Sequence, residues 1–243
     1  MGNTKEETFK APELNAVAYR LWLEDRAKEE NKRQKSHFVT ISREFGCDGF
    51  AVATKLCDQL NARHGTKWMV FTHQILEKLA EDEELAADLI HKVVETRYTF
   101  MNWFIDGLVP DYLQSTQSQV FTRIRTLILN LAERGNCIMV GGGSQIITGR
   151  LDPSKFTAVH ARLYASFPFR VKAVMDKFHL SQADAKKHLW EHQDARNKFV
   201  EDFTGQSSTD PLHYNLILNN GKSDVNLMAK TIYSYSEHSG FFK

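Results

Sequence analysis

Five short apolar segments recur along the chain, separated by longer segments with helical periodicity. They are rich in β-branched and aromatic residues and too short for ordinary helices, which is typical of buried strands. The expected strands are 37–42, 68–71, 137–140, 156–161 and 214–218. Strands that alternate with helices indicate a parallel sheet with helices on both faces. The pattern therefore predicts a three-layer α/β/α protein with a five-stranded parallel sheet.

Between these strands, apolar spacing predicts helices near 51–60, 74–81, 84–106, 116–134, 167–177, 181–203 and 223–238. The first 36 residues have a different pattern, with a polar tail, an apolar stripe from Leu14 to Leu23 and a charge run at 24–35. We expect residues 1–36 to form a helical extension and linker, and residues 37–243 to form the domain. Two interpretations of the extension remain: a helix packed on the domain, or a partner-binding arm.

Composition excludes several classes of protein. The net charge of the 243 residues is +1, so no overall field favours nucleic acid or membrane, and any anion site must be local. Cys47, Cys57 and Cys137 have no regular spacing, which argues against a disulfide framework or a zinc site and favours reduced thiols. No apolar run reaches the length of a membrane span, and the polar N-terminus is unlike a signal peptide. We expect a cytoplasmic protein without nucleic-acid or membrane partners.

Two glycine loops follow predicted strands. The first glycine loop, residues 43–49, contains Gly46 and Gly49 and leads into a helix. Backbone N–H groups and the helix dipole favour phosphate at such a place. The second glycine loop, residues 140–144, contains three glycines that allow close approach of a ligand. Each loop is also compatible with an ordinary strand-to-helix turn. Both belong to the same edge of a parallel sheet, so they could face one crevice.

Basic residues add a third signal. Arg170 and Arg196 lie on consecutive predicted helices, and the arginine fork suits phosphate oxygens. Charged helices are more often solvated faces, so both interpretations stay open on this signal alone.

Five motifs follow one another along the chain. They are Ile41-Ser42-Arg43-Glu44-Phe45-Gly46 with Gly49, Leu131-Ala132-Glu133-Arg134-Gly135 continuing to Gly141, Ala165-Ser166-Phe167-Pro168-Phe169-Arg170, Arg196 with Phe203-Thr204-Gly205, and Asp210-Pro211 with Tyr214-Asn215-Leu216. In their order and spacing they resemble the cytidylate kinase-like family, a divergent branch of the nucleoside monophosphate kinases, over roughly residues 37–235.

The resemblance implies a P-loop kinase fold with a helical lid at about 166–205. It implies transfer of the γ-phosphoryl group of ATP to CMP or a related nucleoside monophosphate, with Mg²⁺ and no metal held by the protein itself. Arg170 and Arg196 match the catalytic lid arginines. The remaining site residues fall into two sets. Those expected at the donor phosphates are Arg43, Gly46, Cys47, Asp48 and Gly49, and those expected on the acceptor side are Thr72, Gly141, Gly142 and Gly143.

Several positions depart from what a kinase needs. In a Walker loop the lysine would fall at Gly49 and the first glycine at Arg43, although the cytidylate kinase-like family already lacks that lysine. Asp48 replaces a small residue, and a carboxylate in an anion nest repels phosphate. Four other places, where the family tends to have charged residues, are Thr72, Gly142, Gln193 and Asn215.

Two functions therefore remain at this point. The chain is expected to be an ATP-dependent kinase of CMP or a related acceptor, or a nucleotide-binding or regulatory module that kept the fold and lost the chemistry. The helices predicted between 84 and 134 have outer faces that could pair in a homodimer.

Overall fold

The computed structural model describes residues 35–64, 67–73 and 116–241. Its five strands form one parallel sheet in the order β2-β3-β1-β4-β5. Their bounds are β1 Ser36–Arg43, β2 Met69–Thr72, β3 Cys137–Val140, β4 Phe156–Tyr164 and β5 Leu216–Asn219. The predicted five-stranded parallel sheet is confirmed. Strand β4 runs three residues beyond the predicted end, because its last residues pair with β1 on one side and β5 on the other.

Six α-helices connect or flank these strands in the described residues. They are α1 Gly49–His64, α2 Thr116–Arg134, α3 Ser144–Thr148, α4 Phe167–Phe178, α5 Gln182–Thr204 and α6 Val225–His238. A short 3₁₀-helix, Pro211–His213, precedes β5. The five-residue helix α3 was not predicted, since it is too short to show a helical period. The helices predicted at 74–81 and 84–106, and the one expected in the N-terminal extension, lie outside the described residues.

The sheet is buried on both faces, as expected for three layers. On one face Phe38 packs with Ile124 and Ile128 of α2. On the other face Val39 and Ile41 pack with residues of α1 and α6. Neighbouring residues of β1 thus face opposite cores, which the two-residue period of a strand requires. Complete burial of such side chains contributes roughly 1.5–3 kcal/mol each.

Helices α4 and α5 form a hairpin with a small apolar cluster of its own, which contains Val171, Val174, Ala185 and Leu189. Helix α5 begins at a well-formed cap, where the Ser181 hydroxyl accepts the backbone N–H of Asp184. It ends at Gly205, whose positive φ of 64° closes the helix in the left-handed conformation. The long α5 is thereby fixed at both ends, and it lies against the first glycine loop.

The register of the sheet brings the two glycine loops together. Ile41 of β1 pairs with Val140 of β3, so both strands end at the same edge of the sheet. The N–H of Gly141 donates to the carbonyl of Ile41 at 3.1 Å, which ties the second glycine loop to the end of β1. The two glycine loops therefore begin at one edge of the sheet, as expected from the sequence. Within the described residues, no helix is both long and apolar enough to cross a membrane.

Candidate phosphate site

The first glycine loop packs closely on the start of α4. Gly46 has a φ of +90°, in the region that favours glycine. A Cβ atom at this position would lie 2.8 Å from the Cβ of Arg170, so no larger residue fits. The loop and the α4–α5 hairpin are therefore in direct contact.

Most backbone N–H groups of this loop already have acceptors within the protein. The N–H of Phe45 donates to Oε1 of Gln193 at 2.8 Å, and the N–H of Asp48 donates to Oδ1 of Asn220 at 3.0 Å. The N–H of Cys47 donates to the carbonyl of Glu44 at 3.1 Å. Side-chain amides from two distant elements thus hold donors that a phosphate would otherwise use.

Asp48 acts as the N-cap of α1. Its Oδ1 accepts the backbone N–H of Ala51 at 3.1 Å, while its side chain remains exposed. A carboxylate at a helix N-terminus is favourable because it satisfies an orphan donor and complements the helix dipole. From the sequence, a carboxylate at position 48 is unexpected in a loop that would bind phosphate. In the structure, Asp48 caps α1.

Arg43 extends from the end of β1 between the two glycine loops. A Cβ atom on Gly49 would lie 3.1 Å from its Cδ, and a Cβ atom on Gly141 would lie 2.1 Å from its Nη1. A side chain at either glycine would thus require Arg43 to shift. The guanidinium is placed where the two loops meet.

Arg196 reaches the same place from α5. Its guanidinium carbon lies 4.8 Å from the centroid of the Phe45 ring, a cation–π contact. Burial and the nearby charge of Arg196 lower the pKa of Arg43 to about 9, and burial also lowers the pKa of Arg196. Neither arginine has a carboxylate partner among the described residues. Two partly desolvated cations without a counterion favour an anion between them.

Arg170 has a different environment. Its Nε lies 3.3 Å from Oε2 of Glu44, and Nη2 of Arg162 lies 3.9 Å from Oε1 of the same carboxylate. Oε2 of Glu44 also accepts the N–H of Ala165 at 3.2 Å. Glu44 thus joins the first glycine loop to β4 and α4. The structure places Arg170 beside the loop, where it shares the one carboxylate of Glu44 with Arg162, and its buried Nη1 has no hydrogen-bond partner among the described residues.

His73 lies next to the arginines, although sequence reasoning did not select it. It follows Thr72, the buried last residue of β2, and its ring contacts the ring of Phe199. Burial and the charges of Arg43 and Arg196 lower the pKa of His73 to about 4. The sole sequence signal was its place directly after a strand. At neutral pH it is an uncharged imidazole in a cationic site.

The second glycine loop has the backbone that only glycine adopts readily. Gly141, Gly142 and Gly143 have φ values of 85°, 67° and 70°. Gly143 is also the N-cap of α3. Consecutive left-handed residues place this loop against Arg43, and Gly141 is the closest contact.

Cys47 and the remaining candidates have structural contacts. Burial, with Glu44 nearby, raises the pKa of the Cys47 thiol to about 12, so it is a neutral thiol at physiological pH. Asn215 accepts the N–H of His160 at 2.7 Å and joins the start of β5 to β4. In the part of the chain that the structure describes, no group of three or more His, Cys, Asp or Glu residues could hold a metal ion.

Comparisons of structure give the fold. An uncharacterized protein from Eubacterium ventriosum ATCC 27560 superposes with a TM-score of 0.59 at 18% identity, covering 83% of this chain and 99% of its own. Shikimate kinase from Acinetobacter baumannii, in complex with shikimate, has a TM-score of 0.42 at 10% identity, covering 88% and 99%. Dephospho-CoA kinase from Campylobacter jejuni has a TM-score of 0.35 at 11% identity, covering 85% and 98%. The last two scores are too low to carry an argument.

Comparisons of sequence give the family. A search of curated proteins finds no match. Residues 38–222 match the cytidylate kinase-like family, and this match spans both glycine loops, the three arginines of the site and Asn220. The match extends over more than half of the chain and agrees with the α/β fold. The chain therefore belongs to the cytidylate kinase-like family.

Proposed function

We propose that the protein transfers the γ-phosphoryl group of ATP to CMP or a related nucleoside monophosphate. The observation that supports this most directly is the pair Arg43 and Arg196, two cations at the meeting point of the glycine loops without a carboxylate partner in the described residues. Phosphoryl transfer needs positioned positive charge more than it needs covalent chemistry from the protein. A site with uncompensated arginines meets that need.

In this proposal the two arginines have distinct roles. Arg43, fixed between the loops, contacts the donor phosphates. Arg196 comes from α5 and contacts the transferring group, whose bond to the bridging β–γ oxygen breaks as a bond to the acceptor oxygen forms. The products are ADP and a nucleoside diphosphate. The proposal assigns residues 141–143, whose backbone is left-handed, to the acceptor.

ATP and Mg²⁺ fit this site to different degrees. The phosphates of ATP match the two arginines in charge. For Mg²⁺, both carboxylates of the first glycine loop are engaged, Asp48 as a helix cap and Glu44 with two arginines, and the described residues offer no cluster of metal ligands. We therefore assign no protein ligand to Mg²⁺, which would enter bound to the nucleotide.

The direct test uses the purified full chain with ATP, Mg²⁺ and each of CMP, dCMP, UMP, AMP and GMP. Products are separated by ion-exchange chromatography, so that ADP and the new diphosphate are measured independently; for AMP, where both products are ADP, transfer is scored as two ADP formed per ATP consumed. We expect equal amounts of both with at least one acceptor. If ADP appears without the diphosphate of the acceptor, the protein is an ATP hydrolase and not this kinase. If neither appears with any acceptor, the kinase proposal fails.

A second candidate is a nucleotide-binding module without turnover. It is favoured by one observation, the occupation of the loop N–H groups by Gln193 and Asn220. Calorimetric titration with ATP and with CMP separates the two candidates. Binding without any product in the panel supports the module, whereas turnover excludes it.

A further inference from the structure

Arg43 and Gly49 are related in a way that the loss of the Walker lysine does not explain by itself. In the Walker pattern the lysine belongs at Gly49 and a glycine belongs at Arg43. This chain has a cation, Arg43, where the Walker pattern has its first glycine, and a glycine, Gly49, where the pattern has its lysine. The two positions are occupied in reverse.

The side chain of Arg43 occupies the space that a side chain at position 49 would need. A Cβ atom on Gly49 would lie 3.1 Å from Cδ and 3.2 Å from Cγ of Arg43. The backbone of Gly49 lies outside the left-handed region, so its conformation does not require glycine. A side chain there would have to displace Arg43 by a few tenths of an ångström.

The far end of Arg43 is equally constrained. A Cβ atom on Gly141 would lie 2.1 Å from Nη1, so the second glycine loop leaves room for this guanidinium alone. A partly buried arginine held at both ends has lost most of its side-chain freedom before any ligand arrives. Since its entropy is already lost, contact with an anion costs little further ordering.

From this geometry we infer that Arg43 supplies, from the start of the loop, the positive charge that P-loop kinases take from a lysine at the position of Gly49. The inference rests on the proposed function, because it assigns Arg43 to the donor phosphates. It predicts that a cation is needed at one of the two positions and that side chains at both are incompatible.

The test measures the affinity for ATP of four forms of the full chain by calorimetry, namely wild type, Arg43→Ala, Gly49→Lys and the double variant Arg43→Gly with Gly49→Lys. Loss of one charge-assisted contact should weaken ATP binding on the order of 10- to 100-fold in Arg43→Ala. Gly49→Lys alone should bind more weakly and melt at a lower temperature, since the introduced side chain would collide with Arg43. The double variant should recover both affinity and melting temperature.

Control variants distinguish an effect on ATP binding from an effect on folding. Lys187→Ala on the exposed face of α5 serves as the matched loss of a cation and should bind ATP as the wild type does. Arg43→Gln, which keeps the length of the side chain, replaces Arg43→Ala if the latter does not fold. Wild-type affinity for ATP in Arg43→Ala or Arg43→Gln would overturn the inference. A Gly49→Lys variant that folds and binds ATP normally would also overturn it. A double variant that stays as weak as Arg43→Ala would also overturn it.

The proposed function can survive each of these failures. If the wild type forms ADP and a diphosphate while the Arg43 variants bind ATP normally, the kinase proposal stands and the assignment of Arg43 is wrong. If the wild type binds no ATP, both are wrong.

Discussion

Two pairs of arginines lie at the first glycine loop, and they differ in their counterions. Arg162 and Arg170 share the carboxylate of Glu44, which also accepts a backbone N–H. Arg43 and Arg196 approach each other closely enough for one to lower the pKa of the other, and neither has a carboxylate partner in the described part of the chain. The first two share one carboxylate of the protein, whereas the other two have none among the described residues.

We propose that this difference separates charges that stabilise the fold from charges that bind a ligand. A paired charge contributes to the fold, because removing its partner leaves an uncompensated ion. An unpaired charge in a partly buried site costs stability and is retained only if a ligand compensates it, a pattern common at functional sites. Substitution of Arg43 or Arg196 should therefore lower activity, whereas a substitution that breaks the ion pairs with Glu44 should lower stability.

The largest expected effect is on turnover, through Arg196. Arg196→Ala should lower kcat by on the order of 10²–10³, as loss of one positioned transition-state donor does. Its melting temperature should stay close to that of the wild type, because loss of the contact with the Phe45 ring offsets the removal of a partly buried cation that has no carboxylate partner in the described residues. Steady-state assays with ATP and the best acceptor, together with thermal unfolding, measure the two quantities.

Lys187→Ala is the matched control for Arg196. Lys187 lies on the same helix with its side chain 77% exposed, and it faces only Glu191, at 3.9 Å. It should change neither kcat nor stability by a measurable amount, as for most exposed ion pairs. If Arg196→Ala lost kcat and stability to the same extent, Arg196 would stabilise the fold and would not act on the transferring group.

The next effect concerns Arg162 and Arg170, which share the carboxylate of Glu44. Glu44→Gln keeps the acceptor for the N–H of Ala165 but leaves Arg162 and Arg170 without a counterion. We expect the free energy of unfolding to fall by roughly 2–3 kcal/mol, below the range for fully buried pairs because the side chain of Glu44 is 22% exposed. Urea unfolding measures this change. The exposed Glu191→Gln is the control, and a loss as small as that of the control would show that Glu44 does not stabilise the loop.

The fold followed from the sequence because its determinants are local. The apolar strands, the turn residues and the helical periods each point to the same architecture, and all five strands lie within a few residues of their predicted bounds. The family resemblance agreed with that reading. The exceptions have physical reasons: α3 is shorter than two turns, and the extra residues of β4 depend on pairing with both neighbours.

The pairing of charges could not be predicted in the same way. Gln193 and Asn220 reach the first glycine loop from positions 148 and 172 residues away. His73 enters the site only because β2 lies beside β3 in the sheet. Sequence reasoning found Arg43, Arg170 and Arg196, but it had no means to tell which of them Glu44 neutralises.

The titration of His73 gives a smaller effect that reports on the unpaired arginines. Its pKa in the folded protein is about 4, below the ordinary value of 6.5, so the unfolded chain takes up a proton first as pH falls. The stability it contributes is therefore present above about pH 6.5 and is lost between pH 6.5 and 4. Between pH 7 and 5 this loss should be about 2 kcal/mol.

Comparison with His73→Gln isolates this contribution, because the carboxylates that titrate in the same range are common to both proteins. Urea unfolding at pH 7, 6 and 5 should show a steeper fall for the wild type. Saturating ATP should reduce the difference, since bound phosphates offset the charges of Arg43 and Arg196 that oppose protonation of His73. Parallel curves for the two proteins would mean that His73 is not held neutral by its surroundings.

The smallest effect tests whether the side-chain amide on the first glycine loop competes with a ligand. Gln193→Ala removes the acceptor of the Phe45 N–H, which should cost about 1 kcal/mol of stability. The freed donor then becomes available to phosphate, so ATP should bind about fivefold more tightly. Gln193→Glu keeps an acceptor oxygen but adds negative charge, and it should bind ATP more weakly. Calorimetry on both variants decides the matter: weaker binding by Gln193→Ala would mean that Gln193 belongs to the ligand site, together with Arg196 on the same helix.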